Sequence, residues 1–76
     1  MENKVLNMLE EICGTDEVKN DRDINLFESG LLDSLGITEL LIRIEEELGI
    51  EIAPTDVERE EIETPNKLIG YLNKRR

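Results

Sequence analysis

A chain of 76 residues bounds one domain, residues 1–76, with one small core, and domains this short depend on efficient helix packing where disulfides are absent. A single cysteine excludes an intrachain disulfide, and the lack of any histidine excludes the usual zinc ligand sets. The net charge of −10 disfavours nucleic acid and anionic membrane as partners.

Residues 2–13 read as a first helix. Val5, Leu9, Ile12 and Cys13 recur at offsets of four, seven and eight and make one apolar face, with Cys13 as a small core residue. Gly14 stops the helix by the usual C-terminal preference. The polar, charged start shows no secretory signal, and no apolar run approaches a membrane span. A cytoplasmic protein that is not inserted in a membrane is therefore expected; separately, a monomer is the expected state.

Residues 15–33 show no sustained period and predict a long loop, a feature that compact domains keep mostly for function. Ile24, Leu26, Phe27, Leu31 and Leu32 would pin it to the core, and Gly30 permits a turn before the next helix. Residues 34–48 carry the strongest helical pattern. Ile37, Leu40, Leu41, Ile44 and Leu48 form its core stripe, either Asp33 or Ser34 serves as N-cap, and Gly49 ends it.

Residues 50–54 form a linker ending at Pro54. Thr55 with Glu58 fits a capping box and predicts a short helix to about Glu61. Thr64 and Pro65 read as N-cap and first-turn proline of a last helix. Leu68, Ile69 and Leu72 of that helix face inward, and Lys74, Arg75 and Arg76 complement its negative end. The expected fold is all-α: three main helices and one short one, with a long loop between the first two.

Two features remain once the core is assigned. Leu35, Glu39, Ile42 and Glu46 fall on the side of the central helix opposite the core stripe, a mixed apolar and acidic face that suits a docking surface unless a neighbouring helix covers it. The surrounding stretch, residues 28–63, holds twelve acids against two bases, Arg43 and Arg59. The second feature is "GLLDSLG", residues 30–36, which sets a serine at a helix start. A nucleophilic serine needs a general base; the chain has no histidine, and Asp33 is a feeble base for an alcohol. A plain cap needs no function. A phosphate attachment point suits the positive end of a helix, with the catalytic groups supplied by another enzyme.

Asp33-Ser34-Leu35, preceded by Gly30-Leu31-Leu32, resembles the modification motif of the acyl and peptidyl carrier proteins. The likeness extends over "LFESGLLDSLGITELLIRIEEELGI" and essentially the whole chain. It implies an acyl-carrier-protein-like bundle whose serine, Ser34, holds 4′-phosphopantetheine through a phosphodiester. It also implies that the chain is not itself an enzyme, with no catalytic and no metal-binding residues of its own. Asp33 matches the acid that lies near the metal of the modifying transferase, and Leu35 the apolar contact after the serine. Glu39, Ile42 and Glu46 match the helix surface that partner enzymes read, and Arg43 stands where fatty-acid carriers place a small or apolar residue.

Within the family, Gly36 and the stretch "VEREEIETPNKLI" resemble the D-alanyl carriers of teichoic acid D-alanylation; Ile62 stands where that group usually has tryptophan. The implied partners are a phosphopantetheinyl transferase, a D-alanine–carrier protein ligase and a membrane-bound O-acyltransferase. A carrier of fatty-acid or polyketide synthesis is the alternative cargo class. An unmodified acidic helical interaction module, with Ser34 as a cap, is the alternative of another class.

Overall fold

Helix α1 (Glu2–Cys13) buries Val5, Leu6, Met8 and Leu9. In the computed structural model, which describes residues 2–75, it is followed by α2 (Glu17–Asn20), α3 (Ser34–Leu48) and α4 (Pro65–Arg75), with two 3₁₀ turns, Pro54–Asp56 and Arg59–Glu61, before α4. The described residues contain no strand, and no helix among them is long and apolar enough to cross a membrane. The architecture is the expected all-α bundle.

The core lies where α1 meets α2, α3 and α4. Leu40, Leu41 and Ile44 reach it from α3, and Pro65, Leu68, Ile69 and Leu72 from α4. Each fully buried aliphatic side chain contributes about 1.5–3 kcal/mol relative to exposure, so this single layer carries most of the stability. Ile37 and Leu48, at the two ends of the α3 stripe, are half-buried and pack on its edge, as do Ile12 and Cys13 of α1. Cys13 is thus peripheral rather than a core residue. Arg43 ties α3 to α1, its Nη2 2.5 Å from Glu11 Oε2 and 3.2 Å from Glu47 Oε2. The hydrogen bond that Arg43 donates to Glu11 raises the guanidinium pKa above its ordinary value.

The stops follow the sequence. Gly49 takes the left-handed conformation at φ 70°, and its N–H donates to the Glu45 carbonyl. At the start of α4 the Thr64 hydroxyl accepts from the Lys67 N–H at 3.1 Å, so Thr64 is the cap and Pro65 opens the helix. Lys74 and Arg75 occupy its last turn; Arg76 lies outside the described residues.

Two expectations require correction. The 15–33 segment is not a plain loop. A one-turn helix, α2, buries Val18, and the remainder folds through tight turns. Asn25 Oδ1 accepts from the N–H groups of Phe27 and Glu28, Leu26 N–H donates to the Glu63 carbonyl at 2.7 Å, and Leu32 N–H donates to the Leu26 carbonyl. Leu26 and Leu32 are thereby fixed inside.

The short helix expected from Thr55 is replaced by the two 3₁₀ turns, and the Thr55–Glu58 capping box does not form. The reciprocal bonds run elsewhere: Ala53 N–H donates to Asp56 Oδ2, and Glu58 N–H to Glu61 Oε1. The reason is the apolar spacing. Ile52 and Ile62 are buried and Val57 is half-buried, and residues five apart point about 140° apart on an α-helix. Two short turns bring all three to the core side where one helix cannot.

Candidate functional site

The local build of the site begins with Asp33. Its extended backbone, φ −122° and ψ −172°, places the carboxylate so that Oδ1 accepts from Gly36 N–H at 2.8 Å. Asp33 is therefore the N-cap of α3, and the choice that the sequence left between two residues is resolved. Ser34 becomes the first helical residue. Its hydroxyl caps nothing and stands exposed. The other serine of the chain differs, since Ser29 Oγ donates back to the Leu26 carbonyl within a turn.

Gly36 is buried under Leu32. A Cβ at this position would stand 2.8 Å from Leu32 Cδ1 and 3.4 Å from Asp33 Oδ1. The close approach lets the 26–32 turn seat Leu32 against the first turn of α3, which fixes how the chain enters Asp33 and Ser34.

Across from Ser34 lies the segment between α3 and α4. Arg59 Nη2 donates to Ser34 Oγ at 3.3 Å, and its guanidinium lies over the Phe27 ring, 5.2 Å from the centroid. A shallow groove beside them is lined by Ile37, Thr38, Pro54, Val57 and Ile62 together with Ser34 and Arg59. Thr38 Oγ1 donates to the Ser34 carbonyl at 3.2 Å. Sequence reasoning passed over Arg59 and Phe27 here. The available signal was that Arg59 is one of only two bases in the acidic 28–63 stretch. The other, Arg43, is engaged with Glu11 and Glu47.

Along α3, Leu35 is 81% exposed and Ile42 53% exposed, and they are the exposed large hydrophobics among the described residues. Glu39 and Glu46 are exposed as well. None of the described helices covers this face.

The chemistry open to these residues is limited. Asp33 Oδ1 is engaged as a cap, and the chain has no histidine to act as a base for Ser34. The thiol of Cys13 is pushed up by burial, which keeps it protonated and a poor nucleophile. No group of three or more metal-ligating side chains occurs among the described residues. What remains is an exposed hydroxyl on a helix's first turn, beside a guanidinium and an open groove. That arrangement fits a covalently held phosphate ester and a flexible arm.

Over residues 3–72 the chain matches the family described as the phosphopantetheine attachment site. It is 52% identical over 75 residues to the D-alanyl carrier protein of Abiotrophia defectiva, covering 99% of this chain and 95% of that one. It is 55% identical over 65 residues to the D-alanyl carrier protein of Enterococcus faecalis, covering 86% and 83%. With the D-alanyl carrier protein of Bacillus velezensis it shares 46% identity over 69 residues, covering 91% and 88%.

Proposed function

The chain belongs to the phosphopantetheine-attachment family, and from that premise we propose that it carries D-alanine for D-alanylation of teichoic acid, with Ser34 as the attachment residue. The observation that carries the assignment of the serine is its hydroxyl: exposed, in the first turn of α3, and relieved of capping by Asp33. The D-alanyl cargo is supported by the names of relatives that match nearly the whole chain. Family members are carriers, so the chain acts as a substrate of other enzymes rather than as a catalyst.

The modification follows from the site. Held in a phosphopantetheinyl transferase, Ser34 Oγ forms a bond to the phosphorus on the pantetheine side of coenzyme A. The bond from that phosphorus to the nucleotide half breaks, and the hydroxyl proton passes to a base of the transferase, because Asp33 is held at Gly36 N–H. The attached 4′-phosphopantetheine supplies a terminal thiol that holds an acyl group as a thioester. A D-alanine ligase loads that thiol and a membrane-bound O-acyltransferase receives the cargo; both act from the cytoplasmic side on a monomeric single-domain carrier.

Leu35, Glu39, Ile42 and Glu46 form the face these partners read. Leu35 and Ile42 offer apolar anchors, and the acids attract basic surfaces and speed encounter. A small polar cargo also leaves the bundle closed. Leu9, Ile44 and Leu68 are fully excluded from solvent, and a fatty chain would require them to part.

Intact mass after treatment with coenzyme A and a transferase tests the assignment of Ser34. Wild type gains one phosphopantetheine and Ser34→Ala gains none. The same group found on Ser29, or on the Ser34→Ala protein, refutes it.

A further inference from the structure

We propose that Arg59 is the anion partner of the phosphodiester formed on Ser34, so that modification fastens the 54–62 segment to the start of α3. The inference rests on Ser34 being the attachment residue.

The bonding of Arg59 is the observation that carries it. Glu58, Glu60 and Glu61 surround Arg59 in sequence. Among the described residues no carboxylate forms an ion pair within 4 Å with Arg59, nor with Lys4, Lys74 or Arg75, whereas Lys19, Arg22, Arg43 and Lys67 each have one; of the four without one, Arg59 is the base that bonds Ser34. On the same turn, Glu61 Oε1 accepts from the Glu58 N–H instead. Arg59 reaches across to α3 and donates to a neutral hydroxyl, with its guanidinium plane resting over Phe27. Stacking on an aromatic face preorganises a guanidinium, and its planar fork matches the oxygens of a phosphate.

Modification replaces the hydroxyl proton with a phosphorus that carries a full negative charge on its two non-bridging oxygens. Those oxygens would be bonded to the phosphorus on Oγ, the atom that Arg59 Nη2 already meets at 3.3 Å. The 3.3 Å bond, in which only the donor is charged, then becomes an ion pair in which donor and acceptor both carry charge.

The segment that gains this tie is anchored by the buried Ile62 and by the Asp56 and Glu61 carboxylates, but its backbone bonds are few. Its 3₁₀ turns are held by the bonds from Asp56 N–H to the Ala53 carbonyl, Glu61 N–H to Glu58 and Ile62 N–H to Arg59. Elements with few backbone bonds open locally before the rest of the domain. A new bond at Arg59 therefore registers in the amides of Glu61 and Ile62. The attached and unattached proteins come to differ in this segment, next to the groove and the docking face that partners meet.

Amide hydrogen exchange at Glu61 and Ile62, measured before and after modification, tests the proposal in wild type, Arg59→Lys and Arg59→Gln. Excess transferase drives each protein to full modification, and intact mass verifies it. Wild type is expected to slow by about two- to fivefold on modification, the factor set by an exposed ion pair. Arg59→Lys retains part of that slowing, Arg59→Gln loses it, and 1 M salt erases it in wild type. Full modification with unchanged exchange in wild type, or with equal slowing in Arg59→Gln, overturns the role of Arg59 while Ser34 stands. A wild type that gains no mass overturns the attachment at Ser34 and the proposal with it.

Discussion

Asp33 and Ser34 are both oxygen-bearing residues at one helix start, and the structure gives them opposite duties. The Asp33 carboxylate satisfies Gly36 N–H, while the Ser34 hydroxyl caps nothing and accepts from Arg59. Asp33→Ala is therefore expected to lose a cap, about 0.5–2 kcal/mol. Ser34→Ala, which removes no cap, is expected to change stability by no more than about 0.5 kcal/mol. Denaturant melts of the two variants separate these duties, and a larger loss at Ser34 would make it the cap. A second neighbouring pair makes the same kind of contrast. Leu41 is 5% exposed and Ile42 53% exposed. Leu41→Ala is expected to cost about 2–5 kcal/mol as a core truncation. Ile42→Ala should fall within about 0.5 kcal/mol of wild type while slowing loading by partner enzymes. Equal losses in the melts would place Ile42 in the core. Helical periodicity told Leu41 from Ile42 in advance. It did not choose between Asp33 and Ser34, because both side chains are competent caps and only the backbone geometry at residue 33 decides.

At the scale of elements, the long helices were legible because a sustained apolar stripe admits one solution. The short pieces were not. α2 is four residues long and buries only Val18, which leaves no period to read. Between α3 and α4 the apolar residues Ile52, Val57 and Ile62 are spaced by five, and the 3₁₀ turns that result resemble no regular pattern. Thr55 with Glu58 suggested a capping box, but local capping yields to burial of three aliphatic side chains. Ile62→Ala is expected to cost about 2–5 kcal/mol, as large as a truncation inside α3, and thermal or denaturant melts check it. Gly36 has a structural duty beside its resemblance to one group of carriers. Gly36→Glu would push a long side chain against Leu32 and set a second carboxylate beside Asp33. A loss of about 1–3 kcal/mol is expected, with raised exchange in the 26–32 turn. Wild-type stability in that variant would show that Leu32 yields freely.

Across the whole molecule the net charge of −10 and the uncovered α3 face act together. Acidic surfaces speed encounter with basic partners, and that gain is screened over about 8–10 Å at physiological salt. Loading by a ligase with a basic docking surface should slow as salt rises, chiefly through the association rate, and stopped-flow kinetics across ionic strength check this. The position of Arg59 was not legible at any smaller scale, because its meeting with Ser34 depends on how the 54–62 segment folds back over α3. The central claim is that Ser34 carries a phosphopantetheine arm loaded with D-alanine. The most direct measurement is intact mass, with fragmentation at residue 34, of protein treated first with coenzyme A and a transferase, then with ATP, D-alanine and the ligase, in competition with fatty acid and its own ligase. One phosphopantetheine on Ser34 is expected, then one D-alanyl group released by hydroxylamine, with little fatty acylation. Efficient fatty acylation without D-alanylation would contradict the cargo, and an unmodified Ser34 would contradict the carrier itself.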